Sequence, residues 1–388
     1  MSKFKKKEEI IFILNSDFGV RNTIGARALP IANEVSKNNN LTILCRGYNK
    51  DLKKEFNIVQ CFPYADFIMK VFTAIPIYIS KNFPAGRVKN DIFEYFTVRK
   101  LNKLKNISII HSWDYLPNIY NHVKSKNKNM VVIQDATMAL PNILTNKELF
   151  DLVGKDKLET PKYVKNSLKY IDYYVVPSDF VKKSLINEGI NENKIFVVPF
   201  GVDINKFKPN EKDYNESFKV AFSGNVNSRK GIRYLVQAWK ELDLNDAELN
   251  IYGRVYPEVK KYLKDAEKYN IRLHGFVNNL HEELLKNHVY AFPSLLEGSA
   301  KSIYEALACG LPVITTANSG SIVENGLDGF IIPTQDVEAL KEKILFFYNN
   351  RNKIEEFGKR ARKKAEQHTW ENYGKRVNEI YKLVNGDD

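Results

Sequence analysis

Two carboxylates eight positions apart, Glu297 and Glu305, and two adjacent cations, Arg229 and Lys230, are the residues whose types and spacing suit joint chemistry on one ligand. Glu297 stands in a short connection, 293–299, between an apolar run and a stretch where Ile303, Ala306 and Leu307 recur at helical spacing. Gly310 and Pro312 stop that helix, and a second apolar run, 313–316, follows at once. Strand, helix and strand with such short joints make a parallel crossover unit, whose first loop opens at the carboxyl edge of the sheet, where ligands bind. Gly298, Ser299 and Ala300 are small, so the amides that start the helix, about Lys301 and Ser302, are uncovered and favour an anion. Glu305 lies about two turns into the helix at roughly 3.6 residues per turn, so the carboxylates bracket one extended ligand. A structural reading competes: Ser302 and Glu305 fit a capping box, and a loop glutamate is usually only solvated.

The cations occur in SGNVNSRKGIRYLVQAW, after a strand-like run at 219–222. Gly224 and Asn225 open this loop, and Gly231 leads into a helix. Cations and helix-start amides both favour negative oxygens, which makes the loop a diphosphate cradle, although adjacent basic residues are usually only surface. In the first half, the run 10–14 feeds a loop, 15–27, that contains Gly19 and Gly25 but no G-x-G-x-x-G, so a nicotinamide or flavin enzyme is not indicated. Polar clusters end two further strands, His111 with Trp113 and Asp114, then Gln134 with Asp135 and Thr137.

EGSAKSIYEALACGLPVI resembles the E-x7-E signature of the retaining glycosyltransferases of family 4, and the match runs on through Ala306, Ala308, Gly310, Pro312 and Val313. The resemblance implies an α/β protein of GT-B fold, two facing Rossmann-like doubly wound domains with the active site in the cleft between them. It implies that Glu305 holds ribose hydroxyls, that Glu297 contacts the sugar near the reacting centre, and that Lys230 grips phosphate. The family's usual arginine is Asn225 here, so Arg229 supplies the second cation from a shifted position. Gly298, Ser299, Ala300, Lys301, Ser302, Gly224 and Asn225 then bind the donor, with the nucleobase contacted by backbone around Phe276 and Val277. Gly19 and Gly25 face the acceptor side, where Arg21 and Arg27 either meet an anionic acceptor or are solvated surface groups. A His-Asp pair of the family reads Gln134-Asp135 in this chain. Glutamine cannot take a positive charge, and His111 is either a substitute from the neighbouring strand or a structural histidine under Trp113.

A length of 388 residues suits two domains. Residues 1–207 are read as an acceptor domain and 208–369 as a nucleotide-sugar donor domain, with a closing helix of about 370–388, from HTWENYGKRVNEIYKLV, packing back on the first. Strand-like runs at 41–45, 107–110, 130–133, 173–176 and 195–198 alternate with helical or basic segments. The formal charge of +13 asks for anionic partners, and zinc-finger and RNP patterns are absent, so nucleic acid is not expected. Aromatic and basic residues interleave over 64–105, as on a core with a charged face or on a surface resting against an anionic inner leaflet. No apolar run approaches the length of a membrane span and no cleavable signal is evident, which with Cys45, Cys61 and Cys309 unpaired in sequence fits the cytoplasm. No D-x-D triplet is present to hold a metal on a diphosphate, so no metal cofactor is expected. The combined reading is transfer of a hexose-type sugar from a UDP- or GDP-sugar to a glycan or lipid-linked acceptor, in surface polysaccharide or glycolipid assembly. A GT-B sugar-nucleotide epimerase and a non-catalytic polyanion-binding module are the alternatives.

Overall fold

Ile10, Ile11, Phe12, Ile13 and Leu14 are each 0% exposed, as in a strand covered on both faces. They belong to β1 (Glu9–Phe18), which is followed by α1 (Gly25–Val35), β2 (Asn40–Tyr48), β3 (Asn57–Gln60), α2 (Ala85–Leu101), β4 (Ile107–Ser112), α3 (Pro117–Lys126) and β5 (Val131–Asp135). Then come α4 (Asn146–Val153), α5 (Lys162–Leu168), β6 (Tyr173–Val176), α6 (Asp179–Asn187) and β7 (Ile195–Val197). The computed structural model describes residues 9–20, 23–62, 85–154, 159–211 and 216–385. The seven strands form one parallel sheet in the order β3-β2-β1-β4-β5-β6-β7, with Ile10 opposite both Leu41 and Ile109. The doubly wound architecture read from the sequence is therefore present. β3 is the strand that hydrophobic runs did not reveal, because it is a four-residue edge strand with one buried position.

The second sheet repeats the plan with β8 (Phe218–Ser223), α7 (Ile232–Leu242), β9 (Ala247–Tyr252), β10 (Ile271–Gly275), α8 (Leu280–Leu285), β11 (Val289–Phe292), α9 (Lys301–Ala308), β12 (Val313–Thr316) and β13 (Gly329–Ile332). All its strands are parallel, in the order β10-β9-β8-β11-β12-β13. In both sheets the order reverses beside the first strand, and the loops at those reversals are where a doubly wound sheet presents a crevice. Much of 64–105 lies outside the described residues. In its described part, Tyr95 and Phe96 of α2 are exposed and the Arg99 guanidinium sits 4.5 Å over the Tyr95 ring.

Helices α10 (Val337–Asn349) and α11 (Arg351–Glu366) finish the second unit, and α12 (Trp370–Val384) returns to the first, against α1. The Val202 amide donates to the His368 carbonyl at 2.9 Å, which ties the chain leaving the first sheet to the start of this return. Close approach needs glycine: a Cβ on Gly374 would lie 2.3 Å from the Pro30 carbonyl oxygen. Among the described residues no helix is long and apolar enough to cross a membrane. Gly374→Ala gains about 1 kcal/mol of helix propensity but forces α12 off rigid backbone, an overpacking cost of about 1–3 kcal/mol. We expect a net fall in Tm on thermal denaturation; a rise would mean that α12 has room to adjust.

Candidate active site

The loops after β1, β8 and β11 open on one cleft of about 1000 Å³ between the two sheets. Its lining includes Gly19, Thr23 and Arg27 from the first half and Ser223, Gly224, Lys230, Glu297, Ser299, Ala300, Lys301, Ser302 and Glu305 from the second, with Phe200 and Trp370 at the crossings.

Glu297 is 7% exposed, and both its oxygens are taken. Oε2 lies 2.9 Å from Arg229 Nη1 and Oε1 lies 2.9 Å from Lys230 Nζ. The two loops that carry this triad are locked by backbone. The Leu295 amide donates to the Arg229 carbonyl at 2.9 Å, Ser294 Oγ donates to the same oxygen at 3.0 Å, and Arg229 Nη1 returns a bond to the Leu296 carbonyl at 2.8 Å. Gly231, at φ +69°, makes the contact possible, since a Cβ there would fall 1.8 Å from the Pro293 carbonyl oxygen. Lys230 Nζ also sits 4.5 Å over the Phe292 ring. Burial pulls the pKa of this ammonium below the usual lysine range, and the adjacent Glu297 opposes that shift. One carboxylate against two cations leaves a positive excess on the wall of the cleft.

Helix α9 begins beside the triad. Its N-cap is Ala300, and no side chain caps it, so its orphan amides remain available to an anion. Ser302 lies inside the first turn, and the Ser302–Glu305 capping box is therefore not formed. Glu305, from the next turn, lines the same cleft; burial raises its carboxyl pKa, with Lys301 and Lys206 opposing. Among the described residues no group of three or more His, Cys, Asp or Glu is placed to hold a metal ion.

Comparison with known proteins gives this geometry a family. The Glycosyltransferase Family 4 model matches residues 30–206 and the Glycosyl transferases group 1 model matches residues 203–364. The chain belongs to glycosyltransferase family 4. An uncharacterized glycosyltransferase of Methanocaldococcus jannaschii is 26% identical over 71% of this chain and 76% of its own length. The Escherichia coli UDP-Gal:alpha-D-GlcNAc-diphosphoundecaprenol alpha-1,3-galactosyltransferase is 31% identical, over 39% of this chain and 44% of that protein. In fold, the transferase is similar to Anabaena HepE, solved with UDP and glucose, at a TM-score of 0.67 and 14% identity, covering 96% of this chain and 98% of that one.

Not every residue singled out in the sequence of this transferase reaches the cleft. Gly19 (φ +70°) and Gly224 (φ +127°) line it. Gly25 instead seats α1 against the Asp17 carbonyl, where a Cβ would lie 2.1 Å away, and Gly298 meets Thr137 of the first domain, with its carbonyl accepting Ser178 Oγ at 2.6 Å. Asn225 is exposed and Phe276 is 78% exposed, and neither they nor Val277 line the cleft. Arg27 does line it, 4.9 Å from the Phe200 ring, whereas Arg21 lies outside the described residues.

His111, Gln134 and Asp135 are 0%, 0% and 2% exposed, and none lines the cleft. Gln134 spends both amide ends inside its domain, accepting from the Tyr120 hydroxyl at 2.7 Å and donating to the Asp135 carbonyl at 3.1 Å. Asp135 accepts from the Tyr373 hydroxyl at 3.1 Å, and burial lifts its pKa to about 6 against the pull of Arg27. His111 is stacked on Trp113 at 4.3 Å, and its Nδ1 is hydrogen-bonded to the Tyr381 hydroxyl of α12. Burial lowers its pKa to about 3, so the ring is neutral and its 3.8 Å approach to Asp135 is not an ion pair. It anchors the returning helix. Sequence reading also passed over Glu148 and Asn318, whose carboxylate and amide meet across the domains at 2.8 Å. Thr145-x-x-Glu148 is a legible capping box, but nothing in it signals a partner 170 residues away. Tyr381→Phe leaves a buried ring nitrogen without its partner, and we expect a loss of about 1–3 kcal/mol in urea denaturation. An unchanged midpoint would deny His111 this anchoring role.

Proposed function

We propose that the transferase moves a hexose-type sugar from a UDP-sugar to a glycan or lipid-linked acceptor, with retention of anomeric configuration. The observation that carries this reading is the Glu297–Arg229–Lys230 triad beside the uncapped start of α9, in one cleft with Glu305. The diphosphate of the donor is the ligand whose charge answers the positive excess of the triad, and UDP is the nucleotide that the names of the E. coli relative and of the HepE complex print. Residues 1–207 then serve the acceptor and 208–369 the donor.

On this reading Arg229, Lys230 and the first-turn amides neutralise the oxygens of the departing diphosphate, which is stabilisation of charge as it develops. Glu305 accepts hydrogen bonds from ribose hydroxyls. Glu297 leaves its cations to the phosphates and turns to the sugar. The acceptor oxygen bonds to the anomeric carbon on the face from which UDP departs, the bond from that carbon to the diphosphate oxygen breaks and the hydroxyl proton passes to the departing phosphate, so the new linkage keeps the donor's configuration. The lipid-linked class of acceptor is supported by the E. coli relative's name, a diphosphoundecaprenol substrate.

Steady-state kinetics and the configuration of the product test this. Glu305→Ala should chiefly raise donor KM, whereas Glu297→Ala should chiefly lower kcat, by about 10²-fold if it acts where charge develops. The carboxyl of Glu305 is protonated at a higher pH than an ordinary glutamate, so donor KM should climb as pH falls through that raised value, and Glu305→Ala should abolish the climb. Inverted product, free sugar released without acceptor, or wild-type kcat in Glu297→Ala would each refute the proposed mechanism.

A further inference from the structure

Helix α4 belongs to the first sheet's domain, yet its acidic side chains reach into the second. Glu148 is 5% exposed and has no cation beside it among the described ion pairs. Four hydrogen bonds replace one. Oε2 accepts the Thr145 amide at 2.8 Å and the Thr145 hydroxyl at 2.9 Å, closing the capping box of α4. Oε1 is thereby left for the other domain, where it accepts Asn318 Nδ2 at 2.8 Å and Thr334 Oγ1 at 2.5 Å.

Asn318 is the backbone clamp of the glutamate loop. Its Nδ2 also donates to the Leu295 carbonyl at 2.9 Å, and its own carbonyl accepts the Glu297 amide at 2.9 Å. The next residue, Ser319, accepts the Ala300 amide at 3.1 Å. The bond from Glu148 therefore ends on the chain that aims Glu297. Asp151, three residues on and on the same face of α4, does the corresponding thing for the cationic arm. Its Oδ2 accepts Gln335 Nε2 at 2.6 Å and the Tyr234 hydroxyl, and its Oδ1 lies 3.5 Å from Arg233 Nη1. Arg233 and Tyr234 form the first turn of α7, directly after Arg229, Lys230 and Gly231.

We infer that Glu148 and Asp151 are positioning residues that couple contact between the two domains to assembly of the triad, Glu148 through Asn318 to the glutamate and Asp151 through α7 to the cations. An interdomain clasp of purely structural purpose would fall on any surface pair. This one falls on the segments immediately bordering both arms of the triad, and when the domains part Glu148 Oε1 loses both of its donors, Asn318 and Thr334, while Oε2 keeps Thr145. Contact between the domains then steadies the two loops whose own bonds join Glu297 to Arg229 and Lys230.

The inference rests on the proposed role of the triad in turnover, so its test includes a readout that needs no substrate. Hydrogen exchange of the peptide covering 295–301 is compared in the ligand-free wild type, Glu148→Ala, Asn318→Ala and the double variant, alongside kcat and donor KM. We expect faster exchange in each variant, a fall in kcat on the order of tenfold with a smaller change in KM, and a double variant no worse than the worse single, as for one coupled pair. Glu148→Gln, which keeps an acceptor oxygen for Asn318, should recover part of the lost kcat. If Glu148→Ala does not fold, Thr334→Val and Asn318→Ala leave the capping box intact and carry the same readouts. Unchanged exchange, or independent multiplicative losses in the double variant, would overturn the inference. Absence of transfer by the wild type would instead count against the proposed function and leave the exchange result to decide the positioning role.

Discussion

Glu297 is a nearly buried carboxylate held at 2.9 Å by each of two cations, and the chemistry of the cleft follows from that arrangement. Two unit charges 4 Å apart interact by about 4 kcal/mol at an effective dielectric of 20, several times their value in water, so an unbalanced group here is felt strongly. Removing one partner of such a pair typically costs about 3–5 kcal/mol, because the survivor stays buried without compensation. With one negative and two positive groups, the triad in the free protein is satisfied only in part, and burial, with a lesser push from Arg229, holds the Lys230 pKa below the usual lysine range although Glu297 opposes it. A diphosphate brings the missing negative charge. In the proposed mechanism it also frees Glu297 from the cations, so that the same side chain turns to the sugar.

Backbone approach makes this possible. Glycine at 231 lets the cradle loop touch Pro293, and glycine at 298 lets the glutamate loop touch Thr137 of the other domain, at distances no Cβ would tolerate. Both loops leave adjacent strands, β8 and β11, at the point where the strand order reverses. The fold thus brings together residues 67 apart in sequence and leaves the start of α9 open between them. The return of α12 to α1, sealed by Tyr373 and Tyr381 against Asp135 and His111, ties the far end of the second domain to the first.

Continuous apolar runs such as 10–14 and 289–292 made the twin parallel sheets legible in the sequence, because a strand covered on both faces has no polar positions to disguise it. The four-residue edge strand β3 offers no such run. The cleft lining of Lys230, Glu297 and Glu305 could be read from glycine loops and helical spacing, but the direct pairing of Glu297 with both cations could not, since periodicity within a segment says nothing about contacts between segments. The two readings of His111, and the part played by Gln134, stayed open in the sequence for a related reason. Polar residues at strand ends resemble site residues, and their burial, with Tyr381 and Tyr120 as partners, is not written in the segments that carry them. Glu148 carries only a local signal in the sequence, a capping box with Thr145 that accounts for one of its two oxygens and is silent about the other.

Titration calorimetry of the ligand-free protein with UDP and with uridine, repeated at low and at raised salt, measures what the triad contributes. If Arg229, Lys230 and the start of α9 hold the diphosphate, UDP binds at least about tenfold more tightly than uridine, some 1.4 kcal/mol or more, and much of that difference persists in salt because the charges are buried rather than surface-screened. Equal affinities for UDP and uridine would contradict the account, since the positive excess around Glu297 would then have no part in binding the donor.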